Sequence, residues 1–166
     1  MESIYKRRSI RKFKDKEIEE SIILEIIKAG MYAPSAGNQQ PWQFLVITER
    51  EKLNRIPDFH EYSKMLYSSP AAILVCADLL KERITNFFPQ DCSASTENML
   101  IAATSMGLGS VWLGVYPVEK RIKGFKTLFN LPETIIPFSL VALGYPDEEK
   151  TLADRYDSSR IHFNKW

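Results

Sequence analysis

Apolar residues recur along this chain at two different periods, and they divide it into alternating helical and extended stretches. Ile18, Ile22 and Ile26 repeat at four-residue spacing with Ile23 and Ile27 beside them, which predicts a helix over residues 16–30 lying on a core. Asp15 is its candidate N-cap, and Pro34 disfavours helical geometry at Ala33, so the helix should stop near Gly30. The stretch PSAGNQQP, from Pro34 to Pro41, then reads as a shaped loop. A strand is predicted at Gln43 to Thr48, helices at Glu49 to Ile56 and Phe59 to Ser68, and a buried strand at Ala71 to Ala77. From Asp91 to Met106 the residues are apolar on most sides and Gly107 supplies a stop, which predicts a central, buried helix. A strand at Ser110 to Tyr116, an amphipathic helix at Val118 to Phe129 and a core strand at Phe138 to Gly144 follow. The stretch Leu152 to Trp166 has aromatics at no clear period, too few for a core of its own and too many to leave in water, so it is expected to pack on something, a second subunit included.

Composition narrows the class. A chain of 166 residues that is 45% hydrophobic and 26% charged is expected to fold as one domain without metal or disulfide staples. The net charge of +1 gives no general argument for nucleic-acid binding, but seven bases (Lys6, Arg7, Arg8, Arg11, Lys12, Lys14, Lys16) against two acids crowd the first 16 residues. Cys76 and Cys92 have no CxxC spacing and are expected to be reduced thiols. The first residues form no apolar leader and AAILVCA is too short to span a bilayer, so a cytoplasmic protein is expected.

The familiar catalytic templates are absent. No P-loop, HExxH, GxSxG or paired CxxC occurs, and GLGSVWLG departs from a dinucleotide fingerprint because Trp112 stands at the third glycine and a helix precedes the strand. His60 and His162 lack any supporting pattern and are expected at the surface or an interface. Cys92 has no base beside it in sequence and reads as structural. What remains is RRSIR. Arg7, Arg8 and Arg11 with Ser9 can offer forked donors to a phosphate dianion; the alternatives are a solvated basic face or a short nucleic-acid patch. In the loop, the carboxamides of Asn38, Gln39 and Gln40 suit the mixed donor and acceptor edge of a flat heterocycle, or else form an ordinary polar turn. Taken together, the two elements favour a phosphorylated heterocycle as ligand.

RRSIRKF, APSAGNQQPWQF, QDCSASTENMLIAATSMGLGSVWLG and IPFSLVALGYP, in that order, together with the ending RYDSSRIHFNKW, resemble the FMN-dependent nitroreductase family, in its small bacterial form. The resemblance covers nearly the whole chain. It implies an α+β fold with a mainly antiparallel sheet wrapped by helices, assembled as an intertwined homodimer with FMN at the subunit interface. It further implies that Arg7, Arg8, Ser9 and Arg11 hold the phosphate and ribityl chain, joined by Arg155, and that Pro34, Ser35 and Asn38 line the flavin from the partner subunit. Leu113 and Gly114 would bring backbone close to the ring near N5. The implied activity is NAD(P)H-dependent reduction of nitroaromatics, quinones or similar flat acceptors by a ping-pong mechanism, with NADH or NADPH as co-substrate and no side-chain nucleophile. A non-catalytic flavin- or nucleotide-binding protein is the alternative. Where many members carry an asparagine that meets the flavin, this chain has His60, Glu61 and Tyr62, and it lacks the long insertions that shape the acceptor pocket elsewhere.

Overall fold

The structure is a computed structural model that describes residues 1–166. Its centre is a four-stranded, wholly antiparallel sheet in the order β1-β2-β4-β3, built from β1 (Trp42–Ile47), β2 (Ala71–Asp78), β3 (Gly109–Gly114) and β4 (Ile135–Gly144). The helices are α1 (Glu2–Lys6), α2 (Glu20–Met31), α3 (Arg50–Arg55), α4 (Phe88–Ser105) and α5 (Glu119–Phe129). The expected α+β class is therefore observed.

The sheet has a core on each face, and the pleat decides which residue serves which. From β2, Ala71, Ile73, Val75 and Ala77 join Ile23 and Ile26 of α2 and Met99 and Leu100 of α4. Ala72, Leu74 and Cys76 join Leu53 of α3, Phe125 and Leu128 of α5, and Ile56 and Leu66 on the opposite face. That two-sided burial explains why AAILVCA shows no polar alternation. Helices α2 and α4 pack closely because Gly30 has no side chain; a Cβ there would lie 2.8 Å from Met99 Cγ. Asn98 of α4 seals the crossing by donating to Ala29 O at 3.1 Å.

The basic segment is laid against the sheet through its backbone. Ile10 N–H donates to Ser110 O at 3.0 Å, Lys14 N–H to Tyr145 O at 2.9 Å, and Asp147 N–H to Lys12 O at 2.9 Å. Phe13 is buried over Gly144, where a Cβ would come within 2.6 Å of the ring. Glu148 completes the fastening by accepting from Arg11 N–H at 2.6 Å and Lys12 N–H at 3.2 Å.

Several element boundaries differ from the sequence reading. Helix α2 starts only at Glu20 with Glu19 at the N-cap, so Asp15 caps nothing and Ile18 packs from an extended segment. The helix expected over residues 59–68 is replaced by a short 3-10 turn at Lys64–Tyr67, and a second such turn, Ile56–Asp58, follows α3. Helix α4 begins at Phe88, and β3 ends at Gly114 rather than Tyr116, because Val115 N–H and Tyr116 N–H both turn to Phe138 O. Helix α1 was not foreseen; it buries no residue. No helix is long and apolar enough to cross a membrane.

Candidate cofactor site

The fastened segment holds its guanidiniums at a cavity of about 390 Å³ lined by Arg7, Arg8, Glu97, Asp154, Arg155 and Tyr156 among others. Three guanidiniums thus meet two carboxylates. Arg7 Nε lies 3.3 Å from Glu97 Oε1, whereas the side chains of Arg8 and Arg155 have no partner within the chain. The convergence of Arg155 with Arg7 and Arg8 from opposite ends of the sequence is what a dianionic group needs. Ser9 is bridged to Ser110 on β3, and Arg11 is exposed a little further along; neither lines this cavity. A cavity of about 330 Å³ beside α5, lined by Arg55, Asp58, Lys120 and Lys123 among others, contains none of the residues singled out in the sequence.

The loop after α2 is held in a conformation that ordinary residues avoid. Gly37, Asn38 and Gln40 have φ of 52°, 54° and 47°, the left-handed region, in which each non-glycine residue costs on the order of 1 kcal/mol or more. Side chains hold it there. Asp91 in the first turn of α4, only 3% exposed, accepts from Ala36 N–H at 2.8 Å and from Gln39 Nε2 at 2.6 Å. Gln39 Oε1 in turn accepts from Arg83 N–H and Ile84 N–H, both at 2.9 Å, and Arg83 Nη2 donates to Gly37 O at 2.9 Å. Gln39 is therefore buried, with both ends of its carboxamide engaged in shaping the loop, and the expectation that it reads a heterocycle is wrong. Ser35 Oγ accepts from Gln40 N–H at 3.0 Å and Asn38 Oδ1 from Gln40 Nε2 at 2.7 Å, which leaves Pro34 and Asn38 on the exposed side of the turn.

At the end of β3, Leu113 is buried and Gly114 is exposed. A Cβ placed on Gly114 meets nothing within 4 Å, unlike one on Gly30, Gly109, Gly124 or Gly144. The chain's own packing does not demand glycine there, so the open backbone face can receive a group from outside the chain. Gly114→Ala is expected to leave the melting temperature unchanged or slightly raised while it weakens FMN binding, as read by fluorescence titration of the apo-protein. Equal affinity for FMN would remove Gly114 from the site.

His60 contradicts its expected place at the surface. It is 1% exposed, and its Nε2 lies 3.0 Å from Gly114 O, so Nε2 carries the proton. Arg121 Nη1 donates to the same oxygen at 2.8 Å while its Nη2 reaches Glu61 Oε1 at 3.1 Å. Burial, and secondly the charge of Arg121, hold the His60 pKa below the ordinary imidazole range. The thiols are inert: burial pushes Cys76 up to about 12 and raises Cys92 as well, as befits structural residues.

The cavity shared by Arg8 and Arg155 contains neither the 34–38 loop nor Gly114. Asp91, Arg83, Glu148 and Arg121 were missed in the sequence, because their partners lie between 7 and 137 positions away.

An antiparallel sheet wrapped by helices, with a cationic corner, a strained loop and an open glycine at a strand end, defines an α+β protein whose basic corner can receive an anionic group. The chain belongs to the nitroreductase family, whose sequence model matches residues 4–72 and 60–145 in two overlapping stretches. A protein of Methanothermobacter thermautotrophicus, provisionally named NADH dehydrogenase/NAD(P)H nitroreductase, is 48% identical over 166 residues, covering 100% of this chain and 87% of its own. The crystal structure of a provisionally named NADH oxidase from Clostridium acetobutylicum superposes with a TM-score of 0.96 at 43% identity, covering 99% of each chain. NADPH:FMN oxidoreductase from Vibrio harveyi, solved in complex with NAD+, gives 0.87 at 27% identity, covering 99% of this chain and 76% of its own.

Proposed function

We propose that this chain is an FMN-dependent oxidoreductase that draws on NADH or NADPH and reduces nitroaromatics, quinones or similar flat acceptors by a ping-pong mechanism. The observation that carries this reading is the pairing of unpartnered Arg8 and Arg155 at one cavity with an unobstructed Gly114 backbone at the end of β3. The residues present fit FMN: guanidiniums match its phosphate, and an open strand end suits a ring that must be approached closely. The Vibrio harveyi relative is named for FMN and NADPH, which supports the same pairing here.

Bound FMN would supply the redox chemistry, accepting a hydride from the nicotinamide and returning electrons to the acceptor. The chain's own residues bind and orient. Arg7, Arg8 and Arg155 would hold the phosphate with Ser9 and Arg11 toward the ribityl chain, and Leu113 and Gly114 would present backbone to the ring. Pro34, Ser35 and Asn38 would close the site from the partner subunit of a homodimer. The dimer is supported by the stretch 152–166, where Tyr156, Phe163 and Trp166 are 78%, 82% and 100% exposed, apolar area of the kind a second subunit would bury. No insertion covers the β3 end, which favours flat acceptors of varied outline.

The purified protein should be yellow or become yellow with added FMN, and NADH or NADPH should bleach it without oxygen. Added nitro or quinone compounds should then restore the colour faster than oxygen does. A protein unable to take up FMN refutes the proposal, and reoxidation no faster with acceptors than with oxygen alone would leave flavin binding without turnover.

A further inference from the structure

The carbonyl of Gly114 is the most heavily served acceptor at the exposed end of β3. It receives His60 Nε2 at 3.0 Å and Arg121 Nη1 at 2.8 Å, which together fill both lone pairs. Water would satisfy an exposed strand end without any such provision. Instead the chain buries an imidazole to 1% exposure, leaves its Nδ1 without a partner, and leaves Arg121 Nε buried and unpartnered as well. Unpartnered buried polar atoms are costly. The arrangement is also closed to substrate, because the remaining reach of Arg121 goes to Glu61 and its guanidinium lies over the Tyr62 ring, 5.4 Å from the centroid. The hydrogen bonds of the two side chains go to the strand end and, for Arg121, to Glu61.

We propose that His60 and Arg121 are positioning residues that lock the Gly114 peptide in the orientation from which its backbone meets the flavin ring. This rests on the reading of Gly114 as a flavin contact. The lock draws on three elements at once: the turn that carries His60, helix α5 with Arg121, and β3. The charged groups facing the imidazole are Arg121 from α5 and Glu61 from its own turn, and the cation outweighs the carboxylate. A second proton on His60 would sit at Nδ1 with no acceptor and against the charge of Arg121, so the folded chain keeps the imidazole neutral.

The sign of the pH effect follows. The folded pKa lies below the ordinary value of about 6.5, so as pH falls through that value the unfolded chain takes up a proton that the native chain refuses. His60 contributes stability that is complete above about pH 6.5 and lost toward its folded pKa, by up to about tenfold in the unfolding constant per pH unit.

The test measures the midpoint potential of bound FMN, FMN and riboflavin affinities, and apo-protein unfolding from pH 5 to 8 in wild type, His60→Leu, His60→Gln, Arg121→Met and Arg121→Lys. His60→Leu and Arg121→Met should each weaken the preference for reduced over oxidised FMN about tenfold, a potential lower by about 30 mV for two electrons. The FMN-to-riboflavin affinity ratio should stay within threefold, because the phosphate corner is untouched. His60→Gln, which restores a donor, should recover most of the potential and also abolish the histidine-dependent acid step in unfolding. Should a truncating variant fail to fold, Arg121→Lys gives the same readout at smaller amplitude. A wild type that binds FMN beside folded variants of unchanged potential overturns this proposal alone; a wild type that binds no FMN overturns the cofactor reading and this proposal with it.

Discussion

Asp91→Asn is expected to lower folding stability by about 3 kcal/mol, although it changes one atom of a buried side chain. The carboxylate accepts twice, from Ala36 N–H and from Gln39 Nε2. An asparagine has one acceptor and one donor group. If its oxygen takes Ala36 N–H, its NH₂ faces the NH₂ of Gln39, and Gln39 cannot turn over because Arg83 N–H and Ile84 N–H already hold its Oε1. A charge-assisted bond is lost and two donors are left facing each other in a buried site, which costs about 1.5–3 kcal/mol for the bond and more for the stranded donors. At this chain length, that corresponds to roughly 6–12 °C in melting temperature. Denaturant titration checks the magnitude, and limited proteolysis should show the 34–41 loop cleaved faster. A variant within about 0.5 kcal/mol of wild type would mean that the loop is held by something other than this carboxylate.

Arg8→Ala is expected to do the reverse, sparing the fold and damaging the ligand. Its guanidinium has no partner within the chain, so truncation should change stability by no more than about 0.5 kcal/mol. Loss of a charge-assisted bond to a phosphate should weaken FMN binding by about 1.5–3 kcal/mol, about 10- to 150-fold in Kd. Riboflavin, which lacks the phosphate, should bind wild type and variant alike. Parallel fluorescence titrations with the two flavins separate the possibilities: equal losses for both would place Arg8 against the ring or the ribityl chain, and no loss for either would refute the phosphate corner.

These two residues show what was legible in the sequence and what was not. Arg8 lies within a run whose chemistry is local, three guanidiniums and a hydroxyl in five positions, and the strands β1, β2 and β4 announced themselves by apolar runs between turn signals. Asp91 acts on residues more than fifty positions away, and no local pattern reports such a contact. The failed helix at residues 59–68 has a nameable cause. Its apolar spacing suits a helix, but the backbone closes tighter three-residue turns instead: Ser63 N–H donates to His60 O, Leu66 N–H to Ser63 O and Ser68 N–H to Met65 O. Ser63 Oγ adds a second bond to His60 O, and so competes with the helical pattern. The buried His60 was missed for a related reason: only the return of β3 and α5 to the same place encloses it.

The backbone fastening of residues 10–14 has a consequence for how the molecule can change. Peptide groups, the Phe13 ring and one glutamate do the anchoring, so the guanidiniums of Arg8 and Arg11, which pair with no group of the chain, carry no scaffold duty. Those two side chains can be exchanged one at a time, resetting the charge of this corner while the architecture beneath them persists.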